Sequence, residues 1–190
     1  MPALTYVFTV SYAHVGVEFD PQDTALFSRI PLDEGYRRIG ANPEKWRDFC
    51  DFIEKSLDFP EALRANHFYP ETLEFIDHIT KKKVVAGIVT SNIITHVKDV
   101  LEVMNIPFDT FQIYVGNKEC NRYKPLPDPV LVALEKLGNP DKSEVVYVGD
   151  ALNDAKCANA AGVDAILIDR IDEFPDSKDY VKIKNLLELF

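Results

Sequence analysis

Three short stretches set chemistry-bearing side chains at the ends of apolar runs. Thr90, Ser91 and Asn92 follow "KVVAGIVT", Lys124 sits in "NRYKPLPDP", and Asp150 and Asp154 close "VVYVGDALND". An apolar run that ends in Gly149 and continues through small residues to Gly162 reads as a core strand turning into a closely packed helix. Two carboxylates at such a junction require something positive beside them: a helix N-terminus, a lysine or a metal ion. Each station also has a plain structural reading. Thr90, Ser91 or Asn92 can cap a following helix, Lys124 beside Arg122 can be a solvated lysine, and Asp150 and Asp154 can favour a helix dipole although like charges four apart repel.

The elements that would position these residues alternate from residue 69 onward. "YPETLEFIDHIT" puts Leu73, Ile76 and Ile79 on one helical face, and "KVVAGIVT" reads as a buried strand. "IITHVKDVLEVMN" spaces Val97, Val100, Leu101 and Met104 as a helix does, and "FQIYVG" is the next strand. "PDPVLVALEKLG" starts on Asp128 as N-cap with Pro129 at the first helical position and stops at Gly138. "EVVYVG", a helix over 151–161 and the strand "DAILID" follow. Strand and helix in alternation predict an α/β fold, a Rossmann-like doubly wound parallel sheet with helices on both faces and its ligand site at the carboxyl ends of the strands.

Residues 24–66 differ. "NPEKWRDFCDFIEKSL" carries Trp46, Phe49, Cys50, Ile53 and Leu57 as an amphipathic stripe opened by Asn42 and Pro43, and with "LFSRIPLDEGYRRIG" it predicts a small helical insert. The β-branched and aromatic residues of "ALTYVFTVSYAHVGVEF" predict a strand before it. The expected organisation is therefore a core of residues 1–23 and 67–190, interrupted by a helical segment at 24–66.

The 190 residues, 46% hydrophobic and 27% charged, have the composition of an ordinary globular protein with one substantial core. A net charge of −10 argues against nucleic acid or an anionic membrane as a partner, so an anionic ligand must be met by a local positive site. Cys50, Cys120 and Cys157 are odd in number and lack metal-site spacing, as reduced thiols of a cytoplasmic protein would be. No run reaches the length of a membrane span, and the N-terminal stretch has no basic leader.

The order and contexts of the three stations resemble the haloacid dehalogenase (HAD) superfamily, mostly phosphatases, over about 120 residues from Tyr69 to Asp169. The resemblance implies a Mg²⁺-dependent site for a small phosphorylated molecule, with the helical insert as its cap. Thr90 matches the hydroxyl residue that holds a phosphoryl oxygen, and Lys124 the lysine that neutralises charge on nucleophile and phosphate. Asp150 and Asp154 match the acidic pair that binds Mg²⁺ directly or through water.

The same resemblance requires an aspartate at the end of the first strand as nucleophile and a second two positions on, yet the sequence contains no Asp-x-Asp. A strand "ALTYVF" leaves Thr9 and Ser11 in the two places, and a strand reaching Tyr12 leaves Ala13 and Val15. A strand ending at Phe19 makes Asp20 the nucleophile, with Gln22 and Thr24 after it, although Asp20 in "DPQD" also reads as a turn residue. His14 is expected as a packed, hydrogen-bonded residue, and Cys120 and Cys157 as small core residues.

Two functions follow. One is a hydrolase derived from Mg²⁺-dependent phosphatases of small metabolites, using Asp20, Thr90, Lys124, Asp150 and Asp154. The alternative is a catalytically inactive relative that binds phosphate, a phosphorylated ligand or a protein. A receiver or flavodoxin-like module is disfavoured, because a receiver's acids precede its lysine by the length of the sheet whereas here they follow it.

Overall fold

The computed structural model describes residues 2–28, 30, 32–65 and 69–190. The expected boundary at 66 and 67, and Arg29 and Pro31 of the helical stretch, lie outside them. The chain divides into two compact units: Met1–His67 with Asp99–Asn105, and Phe68–Lys98 with Ile106–Phe190.

The first unit holds α1 (Pro2–His14), α2 (Thr24–Phe27), α3 (Leu32–Arg38), α4 (Trp46–Ser56) and α5 (Pro60–Arg64). Here the structure corrects the sequence reading, for the N-terminal stretch expected to be the first core strand is a helix. Val7, Phe8, Ser11, Tyr12 and Val15 are all buried, the spacing of a helical face rather than of a pleat. α1 packs on α4 and α5, and its aromatic side chains find their partners there, so tertiary burial overrides β-propensity. The helix stops where Gly16 takes φ +84° and the Val17 amide donates back to the Tyr12 carbonyl at 2.9 Å. Residues 1–23 accordingly belong with the helices that follow them and not with the α/β core.

Phe8, Tyr12, Phe19, Phe27, Tyr36 and Phe49 form the centre of this unit, with the Tyr12 ring stacked on Phe19 at 5.3 Å and 4.8 Å from Phe49. The start signal at Asn42 holds: its side chain accepts from the Glu44 amide at 3.0 Å and opens the turn Pro43–Lys45 that leads into α4. His14 ends α1 packed on Phe52, with ring centroids 3.9 Å apart, and meets the Asp48 carboxylate at 3.1 Å.

The second unit contains α6 (Thr72–Lys81), β1 (Gly87–Val89), the start of α7 (Ile94–Val103), β2 (Ile113–Val115), α8 (Asp128–Lys136), β3 (Val146–Gly149), α9 (Leu152–Ala161), β4 (Asp164–Ile168) and β5 (Val181–Ile183). The strands are parallel, as the alternation predicts, but they form two sheets, β1-β2 and β3-β4-β5. α8 packs on β1 and β2, α9 packs on β3 and β4, and the two helices pack on each other as one layer. Gly138 at φ +80° lies just past α8 and Gly162 at φ +78° caps α9. Past β4 the alternation stops: no helix lies between β4 and β5, and a loop from Asp169 leads to β5, which the apolar pattern did not announce. The Asp169 carboxylate shapes that loop by accepting from the amides of Glu173 at 2.8 Å and Phe174 at 3.3 Å.

Candidate phosphate site at the strand ends

Lys124 is the centre of the site. It lies in a turn closed by the Leu126 amide on the Tyr123 carbonyl, and the Cys157 thiol of α9 donates to the Leu126 carbonyl at 2.9 Å, fixing the turn against the helix. The expected Cys157 is thus a packed thiol, though it also positions the lysine loop. The Lys124 ammonium meets Asp154 Oδ1 at 2.7 Å and the Tyr147 hydroxyl at 3.1 Å. Both members of the ion pair are largely buried, their side chains 15% and 8% exposed.

Asp154 occupies its place because Gly149 has no side chain. A Cβ at Gly149 would overlap the Asp154 carboxylate, which folds back over the end of β3 and accepts from the Asp150 amide at 3.2 Å and the Ala151 amide at 3.1 Å. One carboxylate therefore answers a lysine and two orphan amides at the start of α9. This resolves the question posed by two acids at the strand end: Asp154 is neutralised by Lys124 and by backbone N–H groups, while Asp150 stays exposed.

Burial pulls the Lys124 ammonium down, and the oxygens of Tyr147 and Asp154 more than reverse that, so its pKa lies above the ordinary lysine value. Tyr147 is pushed up to about 12, chiefly by burial and against the opposing pull of Lys124. Sequence reasoning missed Tyr147. The available signal was a residue with a polar tip inside the apolar run "EVVYVG", which must find a partner once buried.

Thr90 is placed by the turn after β1. Its amide donates to the Val115 carbonyl at 2.8 Å, and its Oγ1 accepts from the Asn92 amide at 3.1 Å, the capping arrangement that the residue types allow. Gly116 admits this turn, since a Cβ there would stand 2.7 Å from the Asn92 carbonyl oxygen. Tyr147 completes the connection to Lys124 by donating to the carbonyl of Val89, the residue before Thr90, at 3.4 Å. The structure thus brings Lys124, Asp154 and Asp150 together and links them through Tyr147 to the Thr90 turn.

Asp20 does not end a strand. It is the exposed cap of the turn Pro21–Asp23 in the helical unit, accepting from the Gln22 amide at 2.9 Å, the turn role that "DPQD" allows. The register that made it a strand-end nucleophile fails because the preceding residues are α1 and its exit. Among the described residues no group of three or more His, Cys, Asp or Glu side chains is arranged to hold a metal ion.

The family model for haloacid dehalogenase-like hydrolases matches residues 3–168. The chain belongs to that family. A relative named as the pyrophosphatase PpaX, from Caldanaerobacter subterraneus subsp. tengcongensis, is 27% identical over 168 residues, covering 86% of this chain and 72% of its own. The phosphoglycolate phosphatase of Escherichia coli K12 is 29% identical over 105 residues, 55% of this chain and 41% of the relative, so the match spans less than half of that enzyme. Among solved structures, a haloacid dehalogenase-like hydrolase of Bacteroides fragilis has a TM-score of 0.78 at 21% identity, covering 99% of this chain and 91% of the other, a likeness of fold. The HAD-like chain thus has the mixed α/β, Rossmann-like fold that its alternation predicts.

Proposed function

We propose that the carboxyl ends of β1 and β3 form a site for a small phosphorylated molecule, and that residues 1–190 bind such a molecule without turning it over. The observation that carries this reading is the buried Lys124–Asp154 pair wired through Tyr147 to the Thr90 turn. An ammonium group has three protons, and Asp154 and Tyr147 engage two of them, leaving one for a phosphoryl oxygen. The Thr90 hydroxyl accepts from Asn92 and keeps its own proton to donate to a second oxygen. Phosphoryl recognition is mostly positioning and charge stabilisation, which these groups supply. The names of the relatives, a pyrophosphatase and a phosphoglycolate phosphatase, agree with a small phosphorylated ligand.

Mg²⁺ fits this donor set in a limited way. Asp150 offers an exposed carboxylate, whereas both Asp154 oxygens are occupied by Lys124 and backbone amides. One carboxylate with waters and a phosphate oxygen is a coordination Mg²⁺ accepts, and when bound the ion would neutralise phosphate charge. The helical unit is the candidate cap, now including residues 1–23.

The absent Asp-x-Asp and the capping role of Asp20 favour binding over hydrolysis. Among the described residues no helix is long and apolar enough to cross a membrane. The test is thermal stabilisation by inorganic phosphate alongside phosphate release from pyrophosphate and 2-phosphoglycolate, with Mg²⁺ or with EDTA. Expected are stabilisation that Thr90→Val weakens and no release. Mg²⁺-dependent release abolished by Asp150→Ala would establish a working phosphatase instead.

A further inference from the structure

The amino ends of β3, β4 and β5, at the other end of the strands from the phosphate site, hold a cavity of about 680 Å³. Small-molecule sites ordinarily measure about 300–1,000 Å³. The strand register explains its floor. Tyr147, Ala165 and Leu167 pack on Ala155 and Ala158 of α9, so the pleat turns Val146, Asp164 and Ile166 to the opposite face, and the pairing of Ile166 with Val181 carries that face onto β5. Val146 and Val181 are 49% and 62% exposed, although parallel strands are ordinarily covered on both faces. Asp164 is thus a lone carboxylate set among apolar side chains.

The walls are fixed by the chain's own hydrogen bonds. Glu144 ends a turn that the Asp141 carboxylate caps by accepting from the Ser143 amide at 3.0 Å. On the β5 side, the side-chain amide of Asn159 in α9 donates to the Asp179 carbonyl at 2.7 Å, and the Tyr180 hydroxyl donates to the Pro175 carbonyl at 2.6 Å. The lining sets three carboxylates, those of Glu144, Asp164 and Asp179, against one ammonium, that of Lys178. Nearby lysines are engaged elsewhere: Lys142 donates to the Ala161 carbonyl at 2.7 Å, and Lys182 meets Asp176 at 2.6 Å. Among the described residues none of the three carboxylates has a cationic partner.

We propose that this cavity binds a small organic cation, an ammonium, guanidinium or amidinium group on an apolar body, with the body against Val146, Ile166 and Val181 and the charge at Asp164. A neutral apolar ligand would cover Asp164 without answering its charge, and an anion would meet three carboxylates. A bare metal ion leaves the apolar floor unused, and among the described residues no group of three or more His, Cys, Asp or Glu is arranged to hold one. The cavity shares no residue with the phosphate site and does not depend on that reading.

The probes are three ligands of one shape: benzamidinium, benzamide and benzoate, which are positive, neutral and negative near neutral pH. Each is titrated into the 190-residue protein while backbone amide shifts are followed by NMR. The expected result is saturable shifts with benzamidinium at Val146, Ile166, Val181 and the 177–180 turn, binding about fivefold weaker or more with benzamide, and no saturation with benzoate. Asp164 is exposed, so Asp164→Asn keeps the fold and weakens benzamidinium about threefold or more, whereas Glu135→Gln, exposed on α8, leaves it unchanged. Val181→Ser weakens benzamidinium and benzamide alike. The absence of saturable shifts at these residues overturns the proposal, as does binding of benzamide or benzoate equal to that of benzamidinium. So does an equal loss in Glu135→Gln and Asp164→Asn, which would mean a general attraction of cations to an acidic chain.

Discussion

The helical unit closes on itself, whereas the α/β unit leaves its central strands open, and a tyrosine in each shows the consequence. Tyr12 is sealed among Phe19, Tyr36 and Phe49, and its hydroxyl has no hydrogen-bond partner among the described residues. Tyr147 is half-buried, and its hydroxyl accepts from Lys124 and donates to Val89 of β1, a strand to which β3 is not paired. Both pKa values are pushed up to about 12, Tyr12 by burial and then by Tyr36, Tyr147 by burial against the pull of Lys124. The same local chemistry serves packing in one unit and a polar network in the other. What differs is whether neighbouring elements seal the site or stop short of it.

The comparison breaks most visibly under truncation. Phe49→Ala removes a fully buried ring from the closed core and is expected to cost about 3–5 kcal/mol, while Val148→Ala on the open β3 costs about 1 kcal/mol, both read by urea unfolding. Equal losses would mean that β3 is as well covered as the aromatic core.

Lys124→Met leaves the Asp154 charge buried without its cation, and about 3 kcal/mol of destabilisation is expected from the same measurement. The double variant Lys124→Met with Asp154→Leu should recover most of it. If it does not, the pair matters for its geometry rather than its charge.

A methyl group at Gly149 competes with the Asp154 carboxylate for one space. Gly149→Ala should therefore cost about 1–3 kcal/mol and weaken phosphate binding together, whereas Gly138→Ala, with no atom near its Cβ, should leave binding intact. Loss of stability without loss of phosphate binding would separate the carboxylate's placement from the site.

The smallest effect is in titration. A tyrosine whose pKa is raised by folding lends stability at low and neutral pH that is lost as pH climbs from about 10 towards about 12, because the unfolded chain gives up the proton first. Near-ultraviolet tyrosinate absorbance should show Tyr12→Phe and Tyr147→Phe each removing one group that titrates near 12. Lys124→Met should move only the second, further upward, since it removes the cation that favours the phenolate. A shift of the first as well would mean that the tyrosines are not independent.

Much of the α/β unit was legible because its signals are local. Gly149 before small residues marked the turn from β3 into α9, Pro129 and Gly138 bracketed α8, and apolar runs named β1 through β4. β5 was not legible: "VKI" is three residues long and follows a polar loop that Asp169 shapes through two backbone amides. Asp150, Asp154 and Lys124 could be singled out as residues, but not the division of labour that leaves Asp150 exposed and Asp154 engaged. That division depends on Lys124 and Asp154 meeting across 30 residues of sequence and on a missing Cβ at Gly149.

By itself the sequence determined the α/β alternation, the helical stretch around Trp46 and Phe49, the absence of Asp-x-Asp and the residues clustered at strand ends. Each depends on periodicity or on chemistry within a few neighbours. Only the tertiary structure decided that "ALTYVFTVSYAH" is a helix and that the parallel strands form two sheets rather than one. An apolar, β-branched stretch can bury the same side chains as a stripe or as a pleat, and the choice falls to whatever packs against it: here the aromatic face of α4 for the first, and for β1 and β3 one partner strand each.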